Sequence, residues 1–323
     1  MEPAQMFSTL TLMGDDLPQA ITLSRAGDFP ACQYHSAHST YRVRLDWEPS
    51  PRPKDGSLTL KLGKRIGDGR SAVVYAAEVL TTSDEHNVLR HNLLPPEETL
   101  CVKIARPNRC RTLARESWVY DQIYRRGHMQ GIIAPHTYGF FTADLSSQQL
   151  TFPLWSSQDF TLEHHPAGSQ DDSTRDDRLP DDEALGVHKH RPGGKELSSW
   201  DSWRPDPDAP LLAVLVMSRG GATYTVKDDA DEAMQEDMCA ILDDLSDIYL
   251  WHTDLRSNNL VRAPCGTKPC EKHGRVHTWN IIDFAWTVCD DKDGDLDELK
   301  LVTIRELQQG SHQEYYFWTG FCG

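Results

Sequence analysis

"HTDLRSNNLV", residues 252–261, places a His, an Asp, an Arg and two Asn within eight positions and then returns to apolar sequence. A stretch this polar usually lies in water and has no chemical task. Here it follows an apolar-striped segment (Ile241, Leu242, Leu245, Ile248, Tyr249) and precedes a short hydrophobic strand, so it is fixed at both ends by residues that seek a core. A second stretch, "WNIIDFAW" at 279–286, ends an apolar strand on Asp283. Two acids, Asp254 and Asp283, and the amide of Asn259 would give a cleft hard oxygen ligands for Mg²⁺, plus one carboxylate to orient a hydroxyl.

Upstream of these motifs the pattern is strand-rich. "SLTLKLGKRIG" and "AVVYAAEVL" read as two strands joined by a glycine-containing turn, with Gly67 and Gly69 on it and Val74 beyond it. Glycines let a backbone approach phosphates without a Cβ clash. "TLCVKIA" is a further strand with Lys103 in its apolar run, where a cation is costly unless paired. The following segment spaces Leu113, Glu116, Val119, Tyr120 and Ile123 as one face of a helix, and Glu116 is the candidate partner. "GIIAPHTYGFF" and "LLAVLVMS" predict two more strands, and 228–250 predicts a helix. "DLDELKLVTIRELQQ" predicts one buried helix. Between the last two strands, 156–209 is acidic and rich in Pro, Gly and Ser, which reads as a poorly ordered insert.

The composition narrows the function classes. The chain has 323 residues and a formal net charge of −16, which disfavours a general nucleic-acid or anionic-membrane binder. No secretory signal and no membrane span is legible, so the eight cysteines read as reduced thiols in the cytoplasm or nucleus. "CGTKPCEKHGRVH", Cys265 to His277, spells C-x4-C-x2-H-x3-H, but it falls in an expected hairpin and lacks the usual gap between zinc-ligand pairs. "DDKDGDLDE" lacks the spacing of a calcium loop and reads as a solvated turn.

In order, the Gly-rich turn, the strand lysine, the helix glutamate, H-x-D-L-x-x-x-N and D-F-x resemble the protein-kinase superfamily over about 58–300. The resemblance implies a two-lobed α+β fold with a β-rich N-lobe and a compact helical C-lobe, 58–323, after an N-terminal extension, 1–57. It implies an ATP- and Mg²⁺-dependent phosphotransferase, foremost a protein Ser/Thr kinase. The alternatives are a small-molecule kinase of the aminoglycoside or choline type and a pseudokinase serving as an interaction module. Ile66, Gly67, Gly69 and Val74 would cover the nucleotide, and Lys103, paired with Glu116, would hold its α/β-phosphates. Met217, Ser218 and Arg219, in "LVMSRGG", would meet the adenine. Asp254 would orient the acceptor hydroxyl with Arg256 beside it, Asn259 and Asp283 would hold Mg²⁺, and His252 would be structural, under Asp283. The implied partners are ATP and an unidentified protein or small hydroxylated substrate.

The sequence departs from the family pattern at several positions. Ala72 stands for the third glycine, Thr253 for the arginine of H-R-D and Ala285 for the glycine of D-F-G. Only 38 residues follow Ala285, and no A-P-E is present, which points to a shortened C-lobe.

Overall fold

The structure, a computed structural model, describes residues 6–15, 17–35, 40–42, 47–49, 51–53, 55–69, 71–83, 94, 99–146, 194–206, 209–228, 231–291 and 297–315. The elements in chain order begin with β1 (Thr9–Gly14), β2 (Ile21–Arg25), β3 (Gln33–His35) and β4 (Thr40–Arg42). There follow β5 (Ser57–Asp68), β6 (Ala72–Ser83), β7 (Leu100–Ala105), α1 (Cys110–Gly127), β8 (Thr137–Asp144) and β9 (Leu211–Ser218). The last are α2 (Glu232–Asp247), β10 (Leu250–Trp251), β11 (Leu260–Arg262), β12 (Trp279–Ile281), β13 (Val288–Cys289) and α3 (Asp297–Tyr315).

Seven strands close a barrel in the order β1-β2-β8-β9-β7-β6-β5. Every pairing is antiparallel except β1 with β5, where Thr9 to Gly14 run parallel to Ser57 to Leu62. Two strands of this barrel come from the stretch read as an N-terminal extension, so the 57/58 boundary falls between hydrogen-bonded neighbours. Closure removes the open edge that β5 and β8 would otherwise present.

The apolar run of β9 is explained by its two faces. Leu212, Val214 and Val216 point into the barrel, while Ala213, Leu215 and Met217 point into a second core shared with α1, α2, Trp279 and Phe284. A strand with both faces buried reads as continuous hydrophobic sequence. The same period-2 alternation sends Leu100, Val102 and Ile104 of β7 into the barrel. Lys103 is therefore on the outer face, where α1 crosses.

The part after β9 is not purely helical, unlike the compact helical lobe expected. Among the described residues it holds α2, α3 and four short strands that pair as β10 with β13 and β11 with β12. The polar loops between these strands need their ends pinned, and each two-stranded ladder does that. The helix expected to be buried, α3, is half exposed: Ile304 and Gln308 face inward, whereas Leu299 and Val302 are in solvent.

Residues 156–193 and 207–208 of the expected insert lie outside the described residues. From 194 the chain is packed, with a 3-10 turn over Gly194–Leu197 and Trp200 at 4% exposure. The Trp200 indole donates to Gly27 O at 2.7 Å and its ring lies 5.7 Å from that of Phe140. The cysteines at 32, 101, 110, 265, 270 and 289 are thiols outside any disulfide, whereas Cys239 is disulfide-bonded, against the expectation of reduced thiols throughout. Among the described residues no helix is long and apolar enough to cross a membrane.

Candidate functional site

A cleft of about 930 Å³ opens between the barrel and the polar loops that follow α2. Its walls include Ile66 and Gly67 from the end of β5, Gly69 from the turn after it, Val74 from β6, Lys103 from β7 and Glu116 from α1. Met217, Ser218 and Arg219 enter from the end of β9, and Asp254, Arg256, Asn259 and Asp283 from the polar loops. The residues singled out from sequence thus converge on one cavity although they span more than 200 positions. Ser71, Thr253, Asn258 and Trp286 also line it and were not singled out as site residues, because nothing local marks them.

Lys103 is the hub. Its Nζ lies 2.6 Å from Glu116 Oε2 and 3.0 Å from Asp283 Oδ1. Burial opposes the charge on Lys103, but the Asp283 and Glu116 carboxylates outweigh it and hold the ammonium above its ordinary range. Burial pushes the Glu116 carboxyl up to about 7, against the pull of Lys103. Asp283 has a left-handed backbone, φ 65°, where β12 gives way to a 3-10 turn over Phe284–Trp286. A non-glycine residue there carries local strain on the order of 1–3 kcal/mol, which the surrounding packing must offset.

Packing under the cleft supplies that support. The His252 ring is buried, its Nε2 donates to Ile282 O at 3.1 Å, and it meets Phe284 edge-on at 5.1 Å. Burial lowers its pKa, which keeps the imidazole neutral and suits a structural post. Tyr120 of α1 meets the other side of Phe284 at 5.0 Å. Gln308 of α3 accepts from His252 N at 3.0 Å, and Thr253 Oγ1 donates to Trp286 O at 2.8 Å. Thr253 therefore ties the two polar loops together.

Asp254 and Asn259 are set by their own loop. Asn259 Nδ2 donates to Asp254 O at 2.7 Å, which leaves Oδ1 as the oxygen the amide can offer to a cation. Arg256 Nε lies 2.6 Å from Asp254 Oδ1. Ile282 N donates to Asn259 O at 2.9 Å, so the β11–β12 ladder fixes Asn259 relative to Asp283.

The roof and back wall are anchored too. Asp68 in the glycine turn pairs with Arg106 at 2.9 Å and Arg65 at 2.7 Å, and Gly69 N donates to Ala72 O at 2.9 Å. At the end of β9 the Ser218 N–H is bonded to His136 O and the Arg219 N–H to Thr99 O. Those two donors are committed, which narrows any ligand contact there to carbonyls and to the residues beyond. Gly220 is required by close approach: a Cβ there would lie 2.4 Å from Val261 Cγ2. The approach lets Gly221 N reach Arg262 O at 2.8 Å and closes the cleft's floor.

No family model matches the chain, and no curated protein matches it. Among solved structures, the crystal structure of a kinase domain aligns at 12% identity and a TM-score of 0.39, covering 81% of this chain and 67% of that one. The crystal structure of a Stt7 homologue from Micromonas algae soaked with ATP aligns at 13% identity and 0.33, covering 75% of this chain and 53% of that one. The chain thus spans about half the length of the second. At such scores the functional reading rests on the geometry of the cleft itself.

Proposed function

We propose that the cleft binds ATP with Mg²⁺ and transfers the γ-phosphoryl group to a hydroxyl, most simply a protein Ser or Thr. The observation that carries this reading is the Lys103 ammonium held 2.6 Å from Glu116 and 3.0 Å from Asp283 in a cleft that Asp254 and Asn259 also line. A buried cation kept charged by two carboxylates is suited to phosphate oxygens, and an electrostatic contact of this kind is worth most in a site shielded from water.

In this reading the β5–β6 turn covers the phosphates, Lys103 binds the α/β-phosphates and Glu116 fixes the Lys103 rotamer. Asn259 Oδ1 and the Asp283 carboxylate are hard oxygen donors and fit Mg²⁺. Held by Asn259 and Asp283, such an ion would supply positive charge to offset the negative charge of the phosphates. Asp254 accepts the proton of the acceptor hydroxyl or orients it, and Arg256 holds the Asp254 carboxylate by their 2.6 Å contact. Val74 and Met217 offer apolar contact to a flat base.

The test is a thermal-shift titration with ATP, with and without Mg²⁺, followed by labelled-phosphate transfer to protein substrates. Mg²⁺-dependent stabilisation with transfer to Ser or Thr supports the reading. Transfer only to small hydroxylated compounds would reassign the acceptor. No nucleotide-dependent shift at millimolar ATP and Mg²⁺ would make the cleft an interaction module.

A further inference from the structure

A second polar cluster lies outside the cleft. The connection between β11 and β12 brings Cys270, His273 and His277 against Asp244, in the last turns of α2. Their candidate ligand atoms all lie within 4.8 Å of one another. Cys270 Sγ is 3.4 Å from Asp244 Oδ2 and 3.4 Å from His273 Nδ1. His273 Nδ1 is 3.3 Å, and His277 Nε2 3.5 Å, from the same Asp244 oxygen.

We infer that Asp244, Cys270, His273 and His277 form a structural zinc site that staples the β11–β12 connection to α2. Zinc takes nitrogen at about 2.0–2.1 Å, carboxylate oxygen at about 2.0–2.2 Å and thiolate at about 2.3 Å, so the donors of a tetrahedron sit roughly 3.3–3.7 Å apart. The four spacings given above, 3.3–3.5 Å, fall at that edge length. The two sulfur contacts would also suit hydrogen bonds, so the nitrogen–oxygen pairs discriminate. A hydrogen-bonded N···O pair closes to about 2.7–3.2 Å, and these stand at 3.3 and 3.5 Å.

Two further observations point to a cation at this place. His277 Nε2 is buried without a hydrogen bond and faces the cluster. Its other nitrogen, Nδ1, lies 2.7 Å from Asp237 Oδ1, and Asp237 Oδ2 accepts from Thr278 N at 2.6 Å. A carboxylate behind a histidine fixes its tautomer and orients the far nitrogen toward a metal. With zinc bound, a Cys270 thiolate and the Asp244 carboxylate would supply the two negative charges that a dication needs. Asp244 is fully buried, and its other oxygen forms an ion pair with Lys272 Nζ at 3.0 Å.

The donor set chooses the metal class. Sulfur and imidazole select a borderline dication such as zinc over Mg²⁺ or Ca²⁺, and four protein ligands leave no open position for catalysis. The turn that makes this possible is local: Gly274, at φ 63°, reverses the chain between His273 and His277, with Gly274 N bonded to Cys270 O at 2.8 Å. Cys265, which the spacing pattern counted as a ligand, is exposed and outside the cluster, and Asp244 takes its place. The staple matters because β11 follows Asn259 and β12 leads to Asp283. It is independent of any nucleotide.

The test uses the full chain, with zinc content measured by mass spectrometry and cobalt(II) as a spectroscopic probe. The expected result is a single zinc per chain, and a cobalt form with the intense visible bands of tetrahedral coordination plus a sulfur-to-cobalt charge-transfer band. Cys270→Ser should lose that band, Asp237→Asn should weaken zinc affinity about 10–100-fold, and Cys265→Ser should change neither. A parent chain without bound zinc and without a tetrahedral cobalt spectrum overturns the site and leaves an ion network in which exposed Lys272 meets the buried Asp244, His277 and Asp237. Should Cys270→Ser prove insoluble, the Cys265→Ser spectrum decides: persistence of the charge-transfer band supports the site, and its loss overturns it.

Discussion

The ammonium of Lys103 lies 3.0 Å from Asp283 Oδ1, a carboxylate 180 residues further along the chain. One contact therefore joins the barrel to the polar loops across the cleft. In a nucleotide complex the same two groups would share the phosphates, the lysine directly and the aspartate through the metal.

Lys103→Met should reduce ATP turnover by at least about 10²-fold, the scale seen when one preorganised charge contact is removed. It should also destabilise the fold, because Glu116 is 1% exposed and loses its cation. An uncompensated buried charge costs about 3–5 kcal/mol. Glu116 already has its carboxyl raised from 4.5 to about 7, and in the variant it sits higher still. An acid whose folded value exceeds its unfolded value destabilises as pH rises, so the variant should be weakest above pH 7 and recover toward pH 5. Denaturant melts of Lys103→Met and of Lys103→Met with Glu116→Gln, at both pH values, measure this. A melting midpoint for Lys103→Met that ignores pH would remove Glu116 as the cause.

Asp283→Asn and Asp254→Asn should separate. The first would remove the charge of the proposed metal ligand and should abolish the Mg²⁺-dependent part of nucleotide stabilisation. The second should keep nucleotide affinity within a few-fold and lower turnover about 10²–10⁴-fold. Isothermal titration and single-turnover assays on both variants are the check. Equal losses of binding in the two would contradict the division of roles.

Trp200→Ala should cost about 3 kcal/mol, as for a buried aromatic truncated to a cavity. Trp200 packs on Phe140 and donates to Gly27 O, so it pins the 194–206 segment to the barrel side. Trp203→Ala, at a more open position, should cost less. Urea midpoints of the two variants order them; an unaffected Trp200→Ala would mean that the segment does not support the fold.

Acid should weaken the protein through His136. Burial and the nearby Lys268 charge lower its pKa from 6.5 to about 4. A histidine depressed on folding adds nothing against stability above 6.5, and a penalty then grows as pH falls from 6.5 to 4 and levels off below. Its full size is on the order of 3 kcal/mol. His136→Gln should lose less stability than the parent between pH 7.5 and 4.5. Parallel pH-stability curves for the two proteins would reject the assignment.

What the sequence determined by itself is what short-range periodicity records. Alternation marks β5, where only one face is fully buried, and unbroken apolar runs mark β7 and β9, whose two faces both pack in a core. Helical spacing gives α1 and puts Glu116 on the face that meets Lys103, and the polar runs at 252–259 and 283 stand out because each is flanked by core residues. What only the tertiary structure decided depends on contacts between distant segments. The parallel pairing of β1 with β5 closes the barrel but leaves no local trace, because ladder bonds are made by backbone groups that every residue carries. Trp200 belongs to the core although its neighbours are polar, because one indole suffices to dock a segment. Asp244 replaces Cys265 beside Cys270, His273 and His277 for the same reason: a ligand set is chosen by distance in space, and α2 brings a carboxylate to the place that chain spacing assigned to a thiol.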